Sequence, residues 1–97
     1  MSIVDTIRKA LFAIKPSQDK LPRQGKAAVA ALWAMVGYGA AKGGELDKDD
    51  NRTALVAVKT LVASESLLDK EAMSALRAAL AALQGDDAKS GTDTKAE

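Results

Sequence analysis

The acidic residues between positions 45 and 50 are the part of the sequence best suited to binding a cation. Calcium takes several carboxylate and carbonyl oxygens from one compact loop, and Glu45, Asp47 and Asp50 are the candidate ligands for such a divalent cation. The segment lacks the D-x-D-x-D-G order of an EF-hand. The alternative is structural: Asp47 and Asp50 cap the following helix, while Asp49 interacts favourably with its dipole. We favour capping and keep a weakly binding cation site as the alternative.

Basic residues dominate the N-terminal segment, where six of them stand against two acidic residues and give a local charge of +4. Such a segment could contact phosphates or an acidic protein. Arg8 and Lys9 lie on the predicted outer face of the first helix and are candidate protein-binding residues. No aromatic stacking strip or recognition helix accompanies them, so nucleic-acid binding is not expected and a solvated face is favoured.

Trp33 and Tyr38 are the large aromatic residues of an otherwise alanine-rich central segment. They could line a ligand pocket or anchor a protein interface, because aromatic side chains are enriched among the residues that dominate binding energy. The alternative is that they pack in the core. We expect Trp33 near the centre of the core and keep both residues as candidate protein-binding residues.

Composition excludes most familiar enzyme chemistry. The 97 residues include no Cys and no His, so disulfides, thiolate sites and imidazole metal sites are impossible and the usual general base is missing. The serines and threonines have no base partner for nucleophilic catalysis. We therefore expect a protein that is not an enzyme, and the net charge of +1 gives no strong attraction to membranes.

The elements that must position these residues are helices. The apolar fraction of 47% comes mainly from Ala, Leu and Val, and the length suits one small domain. We predict an all-α fold, a compact bundle of about four antiparallel helices occupying residues 1–85, followed by a disordered tail at 86–97, which has no large apolar residue. The predicted helices run from about Ile3 to Ile14, from Pro22 to Lys42, from the cap Asp47 to Val62, and from the cap Asp69 to Gly85.

A short repeat precedes the third and fourth helices, 22 residues apart. Both copies contain Leu-Asp-Lys followed by an acidic residue, at Leu46 and at Leu68. The pattern predicts a leucine that packs down as a hydrophobic staple and an aspartate that caps the next helix. Two copies do not indicate a solenoid.

The uncharged stretch from Ala27 to Ala41 raises the question of a membrane span. Its 15 residues reach only about 22 Å as a helix, against a hydrocarbon core of about 30 Å. We favour a buried central helix and keep a holin-like small membrane protein as the alternative. The N-terminus does not have the pattern of a signal peptide, so we expect a cytoplasmic protein. The Ala/Gly face of the second helix could support a homodimer.

The segment from Ala40 to Asp50 resembles the tellurite-resistance TerB-like family. Gly44 matches a glycine of the family motif, Leu46 its buried turn residue, and Asp49 with Asp50 its acid pair. Gly43 stands where the family usually has Asp, which removes one cation ligand. The resemblance implies a compact all-α bundle, acidic cation sites, and small interaction modules found in tellurite, stress-response, phage and defence contexts.

The leading functional hypothesis is a TerB-like, non-enzymatic module that binds another protein, with a cation at Glu45, Asp47 and Asp50. A first alternative is a small phage or mobile-element protein that inhibits a host factor through the basic face of the first helix. The holin-like membrane protein is the second alternative.

Overall fold

Four α-helices and two short 3₁₀ segments make up the computed structural model, which describes the backbone of residues 2–95 and the side chains of residues 2–85. The predicted all-α fold is confirmed, and no strand occurs in this part of the chain. None of these helices combines the length and apolarity that crossing a membrane requires. The α-helices are α1 (Ile3–Ile14), α2 (Arg23–Ala41), α3 (Lys48–Val62) and α4 (Lys70–Lys95).

Polar side chains cap the helices where the sequence predicts. The backbone N–H of Asp5 donates to Ser2 Oγ at 3.1 Å, which caps α1. The Asp47 carboxylate accepts from the N–H of Asp50 at 2.8 Å, and the Asp69 carboxylate does the same for Ala72. Each cap satisfies an N–H that has no partner within its helix, and these local bonds explain why the predicted starts of α1, α3 and α4 are confirmed.

Two glycines end α2. Gly43 and Gly44 have φ values of 81° and 97°, in the left-handed region that glycine adopts without strain. The N–H of Gly44 donates to Gly39 O at 2.8 Å, and that of Gly43 to Ala40 O at 3.4 Å. This is the Schellman pattern, which satisfies the last carbonyls of a helix. The predicted stop is confirmed.

The core lies between the helices, with α1 and α3 each packing against both α2 and α4. Burying a large aliphatic side chain contributes about 1.5–3 kcal/mol each. Every helix supplies such residues, so the core joins all four. The largest fully buried side chains are Val4, Ile7, Leu11, Ile14, Leu32, Val58, Leu61, Leu76 and Leu83.

The position of Trp33 on α2 differs from the predicted one. Trp33 is 39% exposed rather than central, while Leu32, Met35 and Val36 are buried. Because α2 is apolar on nearly all sides, hydrophobic periodicity cannot say which side faces inward. The large Trp33 ring lies at the edge of the bundle, and smaller side chains fill the centre.

The end of α4 also differs from prediction. The helix does not stop at Gly85 but extends to Lys95, because a glycine that keeps helical torsions weakens a helix without ending it. The side chains of the predicted tail, residues 86–97, lie outside the described residues, and its disorder stays a prediction. The connector is a 3₁₀ helix (Lys15–Lys20), and both Ser17 and the adjoining Leu21 are buried.

Gly39 permits a close approach between α1 and α2. A Cβ built there would overlap the Val4 side chain of α1 and would lie 3.0 Å from Leu46 Cδ2 and 3.2 Å from Glu45 O. The N–H of Val4 also donates to Gly44 O at 3.4 Å. The missing side chain therefore lets α1, α2 and the α2–α3 loop meet at one point.

The displacement of 22 residues that relates Leu46 to Leu68 also relates Asn51 of α3 to Met73 of α4. Leu46 and Leu68 both pack against the core, as predicted. Met73 of α4, however, is matched in α3 by Asn51, which is also buried and whose Oδ1 has no hydrogen-bond partner among the described residues. A buried carbonyl without a partner carries a desolvation penalty, so the two copies differ in what they contribute to stability.

We predict that Gly39→Ala destabilises the protein by about 1–3 kcal/mol, because the new methyl group forces α1 and α2 apart. Gly37→Ala is the matched control: nothing lies within 4 Å of a Cβ at Gly37, so this change gains about 0.5–1 kcal/mol of helix propensity. Urea unfolding of both variants measures the difference, and equal stabilisation by the two changes would contradict the close packing described at Gly39.

We predict that Met73→Ala costs about 2–5 kcal/mol, as expected for truncation of a buried methionine. Asn51→Ala at the equivalent position should cost less than about 1 kcal/mol, because it removes a buried carbonyl oxygen that lacks a partner. The same urea titration compares the two variants. A loss for Asn51→Ala as large as that for Met73→Ala would show that the amide is satisfied in solution.

Candidate binding surface

Phe12 and Trp33 form an exposed aromatic pair at the junction of α1 and α2. The rings of Phe12 and Trp33 meet edge to face, with centroids 5.6 Å apart and planes at 84°. Phe12 is 55% exposed and Trp33 is 39% exposed. Edge-to-face geometry is favourable because the positive edge of one ring meets the negative face of the other. The pair is thus held together at the surface.

Two cationic side chains lie on the same helix as Phe12. Arg8 precedes Phe12 by four residues and Lys9 by three, the spacings that place side chains on neighbouring parts of a helix surface. Arg8 Nη1 lies 3.5 Å from Asp5 Oδ1 in an exposed ion pair. The fold therefore brings three of the predicted binding residues, Arg8, Lys9 and Trp33, to one surface around Phe12, which we call the aromatic patch.

Tyr38 is not part of the aromatic patch. It follows Trp33 by five residues in α2, which corresponds to about 140° around a helix. Its ring is 55% exposed. Ala30, Ala34 and Gly37 lie between Trp33 and Tyr38 around the helix axis, and they are exposed on the outer side of α2. The face expected to support a homodimer is therefore at the surface, and self-association stays a prediction.

Phe12 is the functional candidate that sequence reasoning missed. The apolar positions of α1 that face inward include Ile7, Leu11 and Ile14, and Phe12 is off that stripe. A large aromatic residue on the polar side of an amphipathic helix has nothing to bury it within its own helix. The position of Phe12 outside the inward-facing stripe of α1 is therefore the sequence signal that could have identified it as a candidate.

A groove of about 1010 Å³ runs between α1 and α4 beside Phe12. Its floor is made mostly of small side chains, and charged side chains contribute to its lining. Its α1 side is formed by Thr6, Lys9, Phe12 and Ala13, and its α4 side by Lys70, Glu71, Ser74, Ala75, Ala78 and Ala82.

A second groove, of about 610 Å³, lies between α2 and α3. It is lined by alanines and threonines together with Val56, which is 61% exposed. No charged residue contributes to its lining among the described residues. It offers an uncharged counterpart to the α1–α4 groove.

The side chain of Lys42 forms ion pairs with the acidic loop. Lys42 Nζ lies 2.9 Å from Asp47 Oδ2 and 3.9 Å from Asp50 Oδ2. In residues 2–85, no three acidic side chains converge to hold a metal ion. Glu45, Asp47 and Asp50 are therefore not brought together as the ligand set expected for calcium. The lysine at the end of α2 instead joins the two carboxylates at the start of α3.

These contacts shift two pKa values in opposite directions. The N–H donated by Asp50, followed by the hydrogen bond from Lys42, lowers the pKa of the Asp47 carboxyl below its ordinary value of 3.8. The hydrogen bond to Asp47, followed by its negative charge, raises the pKa of Lys42 above 10.5. Both shifts favour the charged forms, so Asp47 contributes as a carboxylate cap and as an ion-pair partner.

Comparisons with known proteins leave the family open. No protein-family model matches the chain, and neither the curated proteins nor the solved structures give a match. The resemblance to the TerB-like family therefore stays a prediction based on the segment from Ala40 to Asp50.

We predict a measurable acid sensitivity that depends on Asp47. Because its pKa is lowered on folding, the charged group stabilises the fold above about pH 3.8, and this stabilisation is lost as pH falls through the lower folded value. Asp47→Asn keeps an oxygen that can cap α3 but removes the charge. The variant should therefore lose less stability than the wild type between pH 5 and pH 2, roughly the range spanned by carboxyl titration.

Thermal unfolding followed by circular dichroism across that range measures the effect. Lys42→Met is the matched control, because it removes the ammonium group and leaves the stronger influence, the Asp50 N–H, in place. This control should retain most of the acid sensitivity. Parallel pH profiles for the wild type and Asp47→Asn would contradict the assignment.

Proposed function

We propose that this chain is a non-enzymatic protein-interaction module that binds its partner through the aromatic patch. The observation that carries the proposal is the exposed, edge-to-face pair of Phe12 and Trp33. A bundle of this size can bury large apolar side chains, as it does with Leu32 and Leu76. Two aromatic rings left at the surface and in contact with each other are better explained by an interface than by folding.

The residue types of the aromatic patch support the same conclusion. Trp and Arg are among the side chains that most often dominate the binding energy of interfaces. A Trp held by a neighbouring ring loses little freedom when a partner covers it, so less entropy opposes binding. Lys9 adds an exposed positive charge that would speed the encounter with an acidic surface.

The absence of His and Cys from the sequence supports a binding role. Without His or Cys, the remaining acid–base groups are carboxylates, amines, guanidinium groups and one phenol. The converging carboxylates at Asp47 and Asp50 are occupied by Lys42. A module that acts by binding needs none of this chemistry, and small interaction modules are also what the TerB-like resemblance implies.

The positions of Arg8 and Lys9 also support the alternative function, inhibition of a host factor. Arg8 and Lys9, the residues expected to contact a host factor, lie beside Phe12 on α1. An inhibitor that covers a functional site of another protein would use the same surface. The two functions differ only in what binding does to the partner.

We predict that Phe12→Ser and Trp33→Ser, each made separately, reduce capture of the partner from native-host lysate by at least about tenfold. Each change removes part of the aromatic contact area that a partner would cover. Capture with the full chain, followed by quantitative mass spectrometry, compares each variant with the wild type. The decisive result is a defined protein that is lost with both variants.

Val56→Ser is the matched control, because Val56 is also an exposed apolar residue but lies on α3. It should capture the partner like the wild type. Thermal unfolding identifies any variant whose loss of binding merely reflects unfolding. A partner retained by both aromatic variants would contradict the proposal. Capture that requires calcium and fails with a chelator would point instead to Glu45, Asp47 and Asp50.

A further inference from the structure

The groove between α1 and α4 adjoins the aromatic patch and shares Phe12 with it. Its α4 wall consists of Ser74, Ala75, Ala78 and Ala82 beyond the first helical turn. These side chains are too short to fill the space between the helices, so the backbone of a partner can come close. The described lining of this groove thus contains one aromatic side chain, Phe12.

The length of the α1–α4 groove matches that of a short helix. Its α4 wall extends over thirteen residues from Lys70 to Ala82, twelve helical steps that correspond to about 18 Å, or somewhat more than three helical turns. A row of small residues between two helices is a surface into which the ridge of a third helix can pack.

The groups that line the α1–α4 groove favour a helical ligand over an extended peptide. Its described lining offers the methyl groups of four alanines and the ring of Phe12, hydroxyl groups at Thr6 and Ser74, and charged groups at Lys9, Lys70 and Glu71. Where an extended segment crossed the alanines and Phe12, its backbone N–H and C=O groups would face apolar groups without partners, which is unfavourable. A helix satisfies these groups within itself and presents only side chains.

Charge indicates the composition of that helix. Among the residues whose side chains the structure describes, the lining contains Lys9 and Lys70 against a single carboxylate, Glu71. Neither lysine forms an ion pair with a described side chain, whereas Arg8 pairs with Asp5. Acidic residues on the flanks of a bound helix would complement these two ammonium groups and would be repelled by only one group.

We propose that the α1–α4 groove binds an acidic amphipathic helix of about three turns that belongs to a partner protein. The apolar side of this helix packs on Ala75, Ala78 and Phe12, and its glutamates or aspartates face Lys9 and Lys70. This assignment rests on the proposed function and deepens it, because it states what kind of segment covers Phe12.

The test uses two synthetic peptides of about 12 residues, stapled to hold them helical. Both carry leucines at helical spacing on one side. One has glutamates on the flanks, and the other has lysines at the same positions. Isothermal titration calorimetry with the full chain should show that the glutamate peptide binds and that the lysine peptide binds at least about tenfold more weakly.

Variants locate the binding site. Ala78→Arg fills the groove while adding positive charge, so a loss of at least about tenfold in affinity for the acidic peptide reports steric blocking rather than repulsion. Lys9→Glu should also weaken binding and reduce its dependence on salt. Val56→Arg, in the α2–α3 groove, is the matched control and should bind the peptide like the wild type. Circular dichroism verifies that each variant is folded.

This proposal would be overturned by no binding of the acidic peptide, by equal binding of both peptides, or by equal loss with Ala78→Arg and Val56→Arg. Self-association of the wild type that Ala78→Arg abolishes would identify a second copy of the chain as the occupant and would also overturn it.

Capture from lysate distinguishes failure of the proposed helix in the α1–α4 groove from failure of the proposed function. A partner lost with Trp33→Ser but retained with Ala78→Arg would leave the aromatic patch as the interface and eliminate the helix in the groove. Specific binding of the acidic peptide, with no captured protein that depends on Trp33, would support the groove and contradict the aromatic patch.

Discussion

The close approach of α1 to the end of α2 at Gly39 is the constraint on which the arrangement of the bundle depends. Without a side chain at this position, Val4 and Leu46 can both reach the α2 backbone. The Schellman turn that follows then directs the chain into the loop that receives Val4. Phe12 lies eight residues further along α1, about 12 Å away, where its ring meets Trp33 of α2. The close packing at Gly39 and the aromatic patch therefore lie along the same pair of helices.

Features encoded within a few residues of sequence could be predicted well. Capping requires only a short side chain and an N–H three residues later, as at Asp47 and Asp69. The Gly43–Gly44 stop depends on backbone torsions that glycine adopts readily. Because these interactions are local, they hold in nearly any tertiary arrangement, and most helix boundaries could be predicted from them.

Features that depend on contacts between helices could not be predicted in this way. The alanine-rich sequence of α2 gives no strong preference for one inward side, so the position of Trp33 is decided by what α1 and α3 leave room for. Acidic loops that bind calcium and those that cap helices have similar compositions. The difference at Asp47 and Asp50 is the Lys42 ammonium group, which the glycine turn brings back to them.

The position of Trp33 has a spectroscopic consequence. It is the only tryptophan of the chain, and it lies at the surface against Phe12 rather than in the core. Its fluorescence therefore reports the environment of the aromatic patch, while the aliphatic interior built around Leu32 and Leu76 contributes no signal of its own. Emission and quenching make this residue an internal, label-free sensor of whether that surface is covered.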